Sequence, residues 1–383
     1  MAVPKLRFKE FDEDWTLTTL NQLSTKIGDG IHATPKYDES GTIPFINGNN
    51  LVNGRIAINE NTKRISSEEF QKYNQILSDR TLFLSINGTI GNLAFYKNEK
   101  VLLGKSVCFI NLKNDLDKKF IYLLLQSPQL TKTLNSELTG TTIKNLSLAT
   151  VRNSEFYCPI EAEQTKIASF LSAVDEKISQ LNQKHELLSQ YKQGMMQKLF
   201  SQQIRFKADD GSEFGEWEDK KLGEICSHFQ SGKTITSATI SENGAYPVFG
   251  GNGLRGFTDT YTHDGIFALI GRQGALCGNV NLVQGENFIS EHAIAVQANQ
   301  ESSTQWLAIW LDFMQLNRFS ESSAQAGLAV NKLIKFDIKV PCLEEQTKIA
   351  NFLTVIDQKI EVVAQQIEQA KLWKKGLLQQ MFV

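Results

Sequence analysis

The sequence predicts an α+β protein built from one plan used twice. Two similar α/β domains are separated by two long helices forming an antiparallel coiled coil, an internal repeat with pseudo-two-fold character. Three observations predict this. The stretch EQTKIASFLSAVDEKI at 163–178 returns as EQTKIANFLTVIDQKI at 345–360, with 11 of 16 positions identical at an offset of 182 residues. Self-similarity over so long a period marks a repeated architecture. Both copies space their apolar residues by alternating fours and threes, and the regions ahead of them hold short apolar runs broken by Gly and Asn. Such runs are strands joined by tight turns.

Taken in order, the chain divides into a first globular domain (1–159), a central long helix (160–202), a second globular domain (203–341) and a C-terminal long helix (342–383). The domains open on related segments, LRFKEFDEDWTLTTL and IRFKADDGSEFGEWEDKKL, which align Trp15 with Trp217 and Leu20 with Leu222. Strand-like pairs follow: IPFINGNN (43–50) with YPVFGGNG (246–253), TLFLSINGTIGN (81–92) with GIFALIGRQGALCGN (265–279), and VLLGKSVCFI (101–110) with NFISEHAIAV (287–296). A helical stretch comes next in each domain, at 120–130 and at 306–316.

The long helices carry matching seams. The first places Ile167, Leu171, Val174, Ile178, Leu181, Leu188 and Met195 along one face; the second places Ile349, Leu353, Ile356, Ile360, Val363, Ile367 and Leu377. Sustained over more than four heptads, this is a coiled-coil pattern. These residues are the expected helix–helix and partner interface. His185, Lys192 and Lys374 are polar seam positions, which either fix the register or stand exposed. Pro159 and Pro341 sit just upstream, and Glu161, Glu163, Glu344 and Glu345 suit the positive end of a helix dipole. About 40 residues at 1.5 Å each make a rod of about 60 Å.

Composition narrows the class. A hydrophobic share of 41% describes an ordinary globular protein, with no signal-like opening and no apolar run long enough to span a bilayer. The five cysteines are isolated and odd in number, which argues against a disulfide framework or a thiolate zinc site and for a reducing, cytoplasmic location. Charge is uneven: residues 1–159 carry 19 Lys+Arg against 16 Asp+Glu, whereas 203–341 carry 11 against 16. A stand-alone binder of phosphate backbone shows a basic patch, so strong unaided binding to nucleic acid is not expected.

Catalytic motifs fail on inspection. GKS at 104–106 and SGKT at 231–234 lack the earlier glycine of a phosphate loop, holding Glu99 and Ser227 there instead. The five histidines form no metal-ligand spacing, and no Gly-x-Ser-x-Gly elbow occurs. Catalytic residues and metal ligands are therefore expected to be absent.

The turns do carry groups suited to base edges. In the first domain these are Thr34, Lys36, Tyr37, Asn47, Asn49, Asn50, Asn87, Thr89, Lys105 and Ser106. In the second they are Gln230, Lys233, Asn252, Arg255, Arg272, Gln273, Glu291 and His292. Arg and Lys suit guanine, Asn and Gln suit adenine, and Glu accepts from cytosine. Corresponding places differ in chemistry, Lys105-Ser106 against Glu291-His292, which fits two related readers of different targets.

The chain resembles the DNA specificity subunits of type I restriction–modification systems. The paired EQTKIA helices, Gly-Thr-Ile-Gly at 88–91, GDGIHATPKY at 28–37 and Trp15/Trp217 carry that resemblance over essentially the entire length. It implies a non-catalytic subunit whose two target recognition domains each read one half of a bipartite, asymmetric site on double-stranded DNA, with the helices setting the spacer. It also implies two methyltransferase subunits and two restriction–translocase subunits as partners. No cofactor would bind this chain; S-adenosylmethionine, ATP and magnesium would serve the partners. Read from residues alone, a coiled-coil scaffold whose domains bind protein or glycan is the alternative. A fused methyltransferase or nuclease is disfavoured, since no NPPY-like or Walker sequence occurs.

Overall fold

The computed structural model describes residues 3–73, 75–140, 144–274, 276–320 and 327–383. Two long helices, Glu161–Phe200 and Leu343–Met381, run through it. The chain forms two compact units: Met1–Asn182 with Gln365–Val383, and Gln183–Ala364. Each unit thus takes part of both long helices.

The first unit is centred on a four-stranded antiparallel sheet, in the order Ser24–Asp29, Val107–Leu112, Thr81–Ser85, Leu93–Phe95. Both central strands are buried throughout, which explains why TLFLS and VCFINL read as nearly continuous apolar runs. Alternation still sorts their side chains to opposite faces. Leu82, Leu84, Cys108 and Ile110 pack with Phe120, Ile121, Ile167 and Leu171, while Phe83, Val107 and Phe109 pack with Ile46, Leu51 and Leu103. A smaller three-stranded sheet joins Arg64–Ile65, Ile43–Ile46 and Leu102–Leu103, the last pair parallel. Thr16–Thr19 closes the domain against Glu155–Cys158.

The second unit repeats this wiring. Its four-stranded sheet has the order Cys226–Ser231, Ala293–Ala298, Ile266–Gly271, Val280–Gln284. Its three-stranded sheet pairs Gly253–Thr258 with Tyr246–Gly250, and Tyr246–Gly250 in parallel with Phe288–Ile289. Glu218–Lys221 closes against Asp337–Val340.

The helical stretch expected at 120–130 is two helices, Lys118–Leu124 and Pro128–Ser136. Pro128 cannot continue a helix, and Ser127 caps the second one by accepting from the Leu130 N–H. The corresponding segment of the second unit is one helix, Thr304–Phe313, followed by a 3-10 turn at Leu316–Phe319.

In both units the start of one long helix lies against the end of the other, so the helices run antiparallel. Ile167, Ala168, Leu171 and Val174 share a core with Leu377, Leu378, Met381 and Phe382. Met196 and Leu199 share one with Ile349, Ala350, Leu353 and Ile356. The polar seam lysines are paired: Lys374 Nζ lies 2.6 Å from Asp175, and Lys192 Nζ lies 2.6 Å from Asp357. Adding 182 converts Asp175 into Asp357 and Lys192 into Lys374, so the two bridges are one contact made twice with the helices exchanged.

The repeated Glu-Gln has a role beyond the helix dipole. Glu163 is buried and accepts from Arg7 Nε at 2.8 Å, Arg7 Nη2 at 2.7 Å and Trp15 Nε1 at 3.2 Å. Glu345, also buried, accepts from Arg205 Nε at 3.0 Å, Arg205 Nη2 at 2.7 Å and Trp217 Nε1 at 3.0 Å. A two-pronged Arg–carboxylate pair fixes direction as well as distance. The next residue finishes each joint: Gln164 donates to the Pro159 carbonyl and accepts from Asp117 N–H, and Gln346 donates to the Pro341 carbonyl and accepts from Ser303 N–H. These joints explain why EQTKIA is the most faithfully repeated segment.

Candidate nucleic-acid interface

A glycine sets the frame of the interface in each unit. A Cβ on Gly30 would lie 2.2 Å from the Leu103 carbonyl oxygen and 2.4 Å from that of Gly104; on Gly232 it would lie 2.3 Å from Ile289 O and 2.4 Å from Ser290 O. Only a residue without a side chain lets the two segments cross so closely. The residues beyond the crossing pair in parallel, Ile31 with Gly104 and Lys233 with Ser290. A further segment joins each rim, Leu146 N–H donating to Ile86 O and Leu328 N–H donating to Arg272 O. Strand register then makes Lys105 the counterpart of Glu291, Ser106 of His292, Asn49 of Asn252 and Asn87 of Gln273.

In the first unit this frame encloses a cleft of about 290 Å³ lined by Asp29, His32, Asn87, Lys105, Asn145 and Ser147, among others. Asn87 donates to Asn145 Oδ1 at 3.2 Å, and His32 Nε2 lies 2.8 Å from Asp29 Oδ2. Thr89 is exposed on the turn beyond Asn87, and Asn49 is exposed beside Gly48. Asn47 and Ser106 are tied together: Ser106 Oγ donates to Asn47 Oδ1 and accepts from Gly48 N–H, both at 3.0 Å.

Asn50 is a different matter. Its side chain is buried, accepts from the Asn47 N–H and donates to the Ala57 carbonyl. Its amide is consumed by the loop and offers nothing to a base. Thr34, Lys36 and Tyr37 do not line the cleft; Tyr37 packs on Phe45 with Lys63 Nζ 4.3 Å from its ring centroid.

In the second unit Gln230, Lys233, Asn252, Arg255 and Gln273 are exposed and Arg272 is half-exposed. Arg272 N–H donates to the His292 carbonyl at 3.0 Å, which places those two segments side by side. Glu291 Oε2 accepts from Ile235 N–H at 3.3 Å, and its Oε1 lies 3.7 Å from His292 Nε2. The acidic second domain therefore gathers Lys233, Arg255 and Arg272 on this rim against Glu291, whereas the first sets Lys105 and His32 against Asp29. Behind the second rim, His228 and His263 stack edge-on with centroids 5.3 Å apart. Burial, and then neighbouring positive charge, lowers both below the ordinary histidine value.

The cleft also takes in Asp29, His32, Asn145 and Ser147, which were not among the candidate contacts. His32 stands inside GDGIHATPKY and was within reach; Asn145 and Ser147 arrive from a distant segment, with no local signal. Among the described residues no cluster of three or more His, Cys, Asp or Glu could hold a metal, and no helix is long and apolar enough to cross a membrane.

A family model described as the type I restriction modification DNA specificity domain matches residues 12–190 and again 215–372. The chain belongs to this family. The two matches cover the two globular domains and most of both long helices. The type I restriction enzyme EcoprrI specificity subunit of Escherichia coli is 36% identical over 209 residues, 52% of this chain and 51% of that protein. The match thus spans about half the length of that relative. The type I restriction enzyme MjaVIII specificity subunit of Methanocaldococcus jannaschii is 25% identical over 96% of this chain and 91% of its own. The crystal structure of a type I restriction–modification S subunit from M. genitalium aligns over 100% of this chain and 99% of its own, with a TM-score of 0.66 at 23% identity. That likeness concerns the fold. The chain is a specificity subunit, concerned with recognition of DNA sequence, and such subunits are not catalytic.

Proposed function

We propose that each globular domain, divided as 1–159 and 203–341, reads one half of a bipartite, asymmetric sequence on double-stranded DNA. In this reading the helices at 160–202 and 342–383 set the number of unread bases between the halves. The observation that carries it is the recurrence of one rim in both domains with different side chains on it. Thr34, Lys36, Tyr37, Asn47, Asn49, Asn87, Thr89, Lys105 and Ser106 are the proposed contacts in the first domain; Gln230, Lys233, Asn252, Arg255, Arg272, Gln273, Glu291 and His292 are those in the second. Asn50 leaves the set, because its amide is used internally. The basic rim of the second domain offsets its net acidity locally, and base readout and phosphate affinity are separable tasks.

The proposal extends to partners. Two methyltransferase subunits using S-adenosylmethionine dock on the helices, and two ATP- and magnesium-dependent restriction–translocase subunits complete the assembly. Half-sites read from one side of a duplex have centres about ten base pairs apart. Mapping methylated adenines in cells that express this chain with its methyltransferase tests the reading. A gapped two-part motif is expected; a single uninterrupted motif contradicts it. Inserting four residues near Gln183 is expected to change the gap or abolish methylation, and an unchanged motif would remove the spacer role.

A further inference from the structure

We infer that Glu291 and His292 together select one base pair in the second half-site, one presenting an amino group to Glu291 and a carbonyl oxygen to His292. This rests on the DNA-reading assignment above. Glu291 is an acid on a rim that otherwise carries Lys233, Arg255 and Arg272, a poor choice for a residue whose task is phosphate affinity. It is held in place: Oε2 accepts from the Ile235 N–H at 3.3 Å, leaving Oε1 for another donor. His292 Nε2 lies 3.7 Å from Oε1, within ion-pair range but too far for a hydrogen bond, and its side chain is half exposed. A carboxylate acceptor thus stands beside an imidazole, which donates from one of its ring nitrogens, both on a segment fixed by the Gly232 crossing and by the Arg272–His292 backbone bond.

Base pairs differ in the order of donors and acceptors along the major groove, and a carboxylate accepts from an amino group such as N4 of cytosine. Adenine offers N6 in the same way, so the shared chemistry is an exocyclic amino group. Guanine and thymine present only acceptors there and are repelled by a carboxylate. At the corresponding place the first domain carries Lys105, a donor suited to the acceptors of guanine, beside Ser106, whose hydroxyl is spent on Asn47. A G·C pair in the first half-site is the expected target of Lys105.

The test uses the full chain co-expressed with its methyltransferase, with methylated adenines mapped genome-wide for the native chain, E291Q and K105E. Gln retains an acceptor for the Ile235 N–H, so E291Q keeps the rim folded. One base pair of the native second half-site is expected to be fixed, and whether it is C·G or A·T names the amino group that Glu291 accepts from; a second half-site with no fixed pair that E291Q alters overturns the inference. E291Q is expected to relax that position by about tenfold or more, the scale of one lost base contact, and to leave the first half-site as it was. K105E is expected to alter the first half-site alone. An E291Q motif identical to the native one overturns the inference, as does an altered first half-site. Loss of all methylation by E291Q with an unchanged melting temperature also overturns it, because that result assigns Glu291 to affinity rather than choice of base. A native chain that directs no sequence-specific methylation would instead defeat the broader DNA-reading assignment.

Discussion

The two globular domains share the strand pairings that frame their rims and few of the side chains that stand on them. Gly30 and Gly232 make the same close crossing, and Leu146 and Leu328 the same backbone bond. Lys105 faces Glu291 across the comparison, and Asn87 faces Gln273. The difference teaches where constraint lies. A buried crossing or a ladder bond tolerates little, because the backbone has nowhere to go. An exposed loop side chain can change charge at small cost to stability. A pair of domains built this way can diverge in surface chemistry while keeping one fold.

The strongest way to break the comparison is to unlock one joint. Glu345→Ala strips the buried carboxylate from half-buried Arg205 and buried Trp217; losing one partner of a fully buried ion pair costs about 3–5 kcal/mol, and the partial exposure of Arg205 brings the expected loss to about 2–3 kcal/mol. Hydrogen exchange should then rise in Cys226–Ser231 and Ala293–Ala298 while Val107–Leu112 stays protected. Glu163→Ala should give the mirror result. Equal loosening of both units by either substitution would show that their stabilities are not separate.

A gentler test adds one methyl. Gly232→Ala forces the crossing apart, an overpacking cost of about 1–3 kcal/mol. It should weaken binding to probes carrying the second half-site and spare those carrying the first; Gly30→Ala should do the reverse.

The helix bridges come third. Lys192→Asp should lower stability by about 1 kcal/mol, a figure kept small because Asp357 is 46% exposed and solvent screens the pair. Adding Asp357→Lys should recover it, and a denaturant-melt double-mutant cycle measures the coupling.

Mild acid, down to about pH 5 and above the carboxylate range, should give the smallest effect, carried by two histidines of the second domain. His228 and His263 are depressed by burial, so below the ordinary value of 6.5 the unfolded chain takes up protons that the folded one refuses. Stability of the second unit should fall as pH drops from about 6.5, and be unaffected by these residues above it. Exchange of Glu218–Lys221 at pH 5 and pH 7.5 checks this.

Much of the fold was legible because its signals are local or periodic. The heptads of the long helices and the 182-residue offset needed no partner to be seen. The echo of LRFKEF in IRFKAD was visible too, yet not its purpose, since burial of Glu163 under Arg7 and Trp15 depends on a contact 156 residues away. For the same reason Asn50 looked like a free amide. The break at Ser127-Pro128 is written in the sequence by its proline, but seven apolar or amide residues ahead of it mask the signal. The rim was only half legible: its glycine-rich turns stand out, whereas Asn145 and Ser147 belong to it through chain reversal alone.

The first unit is completed by Gln365–Val383. Leu6 N–H donates to the Gln380 carbonyl, Gln129 donates to those of Gln379 and Phe382, and Leu377, Met381 and Phe382 sit in the core beneath Phe120. During synthesis, residues 365–383 follow the whole of the second unit, so the first unit must wait for them before its apolar floor is covered. A nonsense codon near position 365 would therefore injure the first unit, whose sheet strands lie far upstream of the lesion.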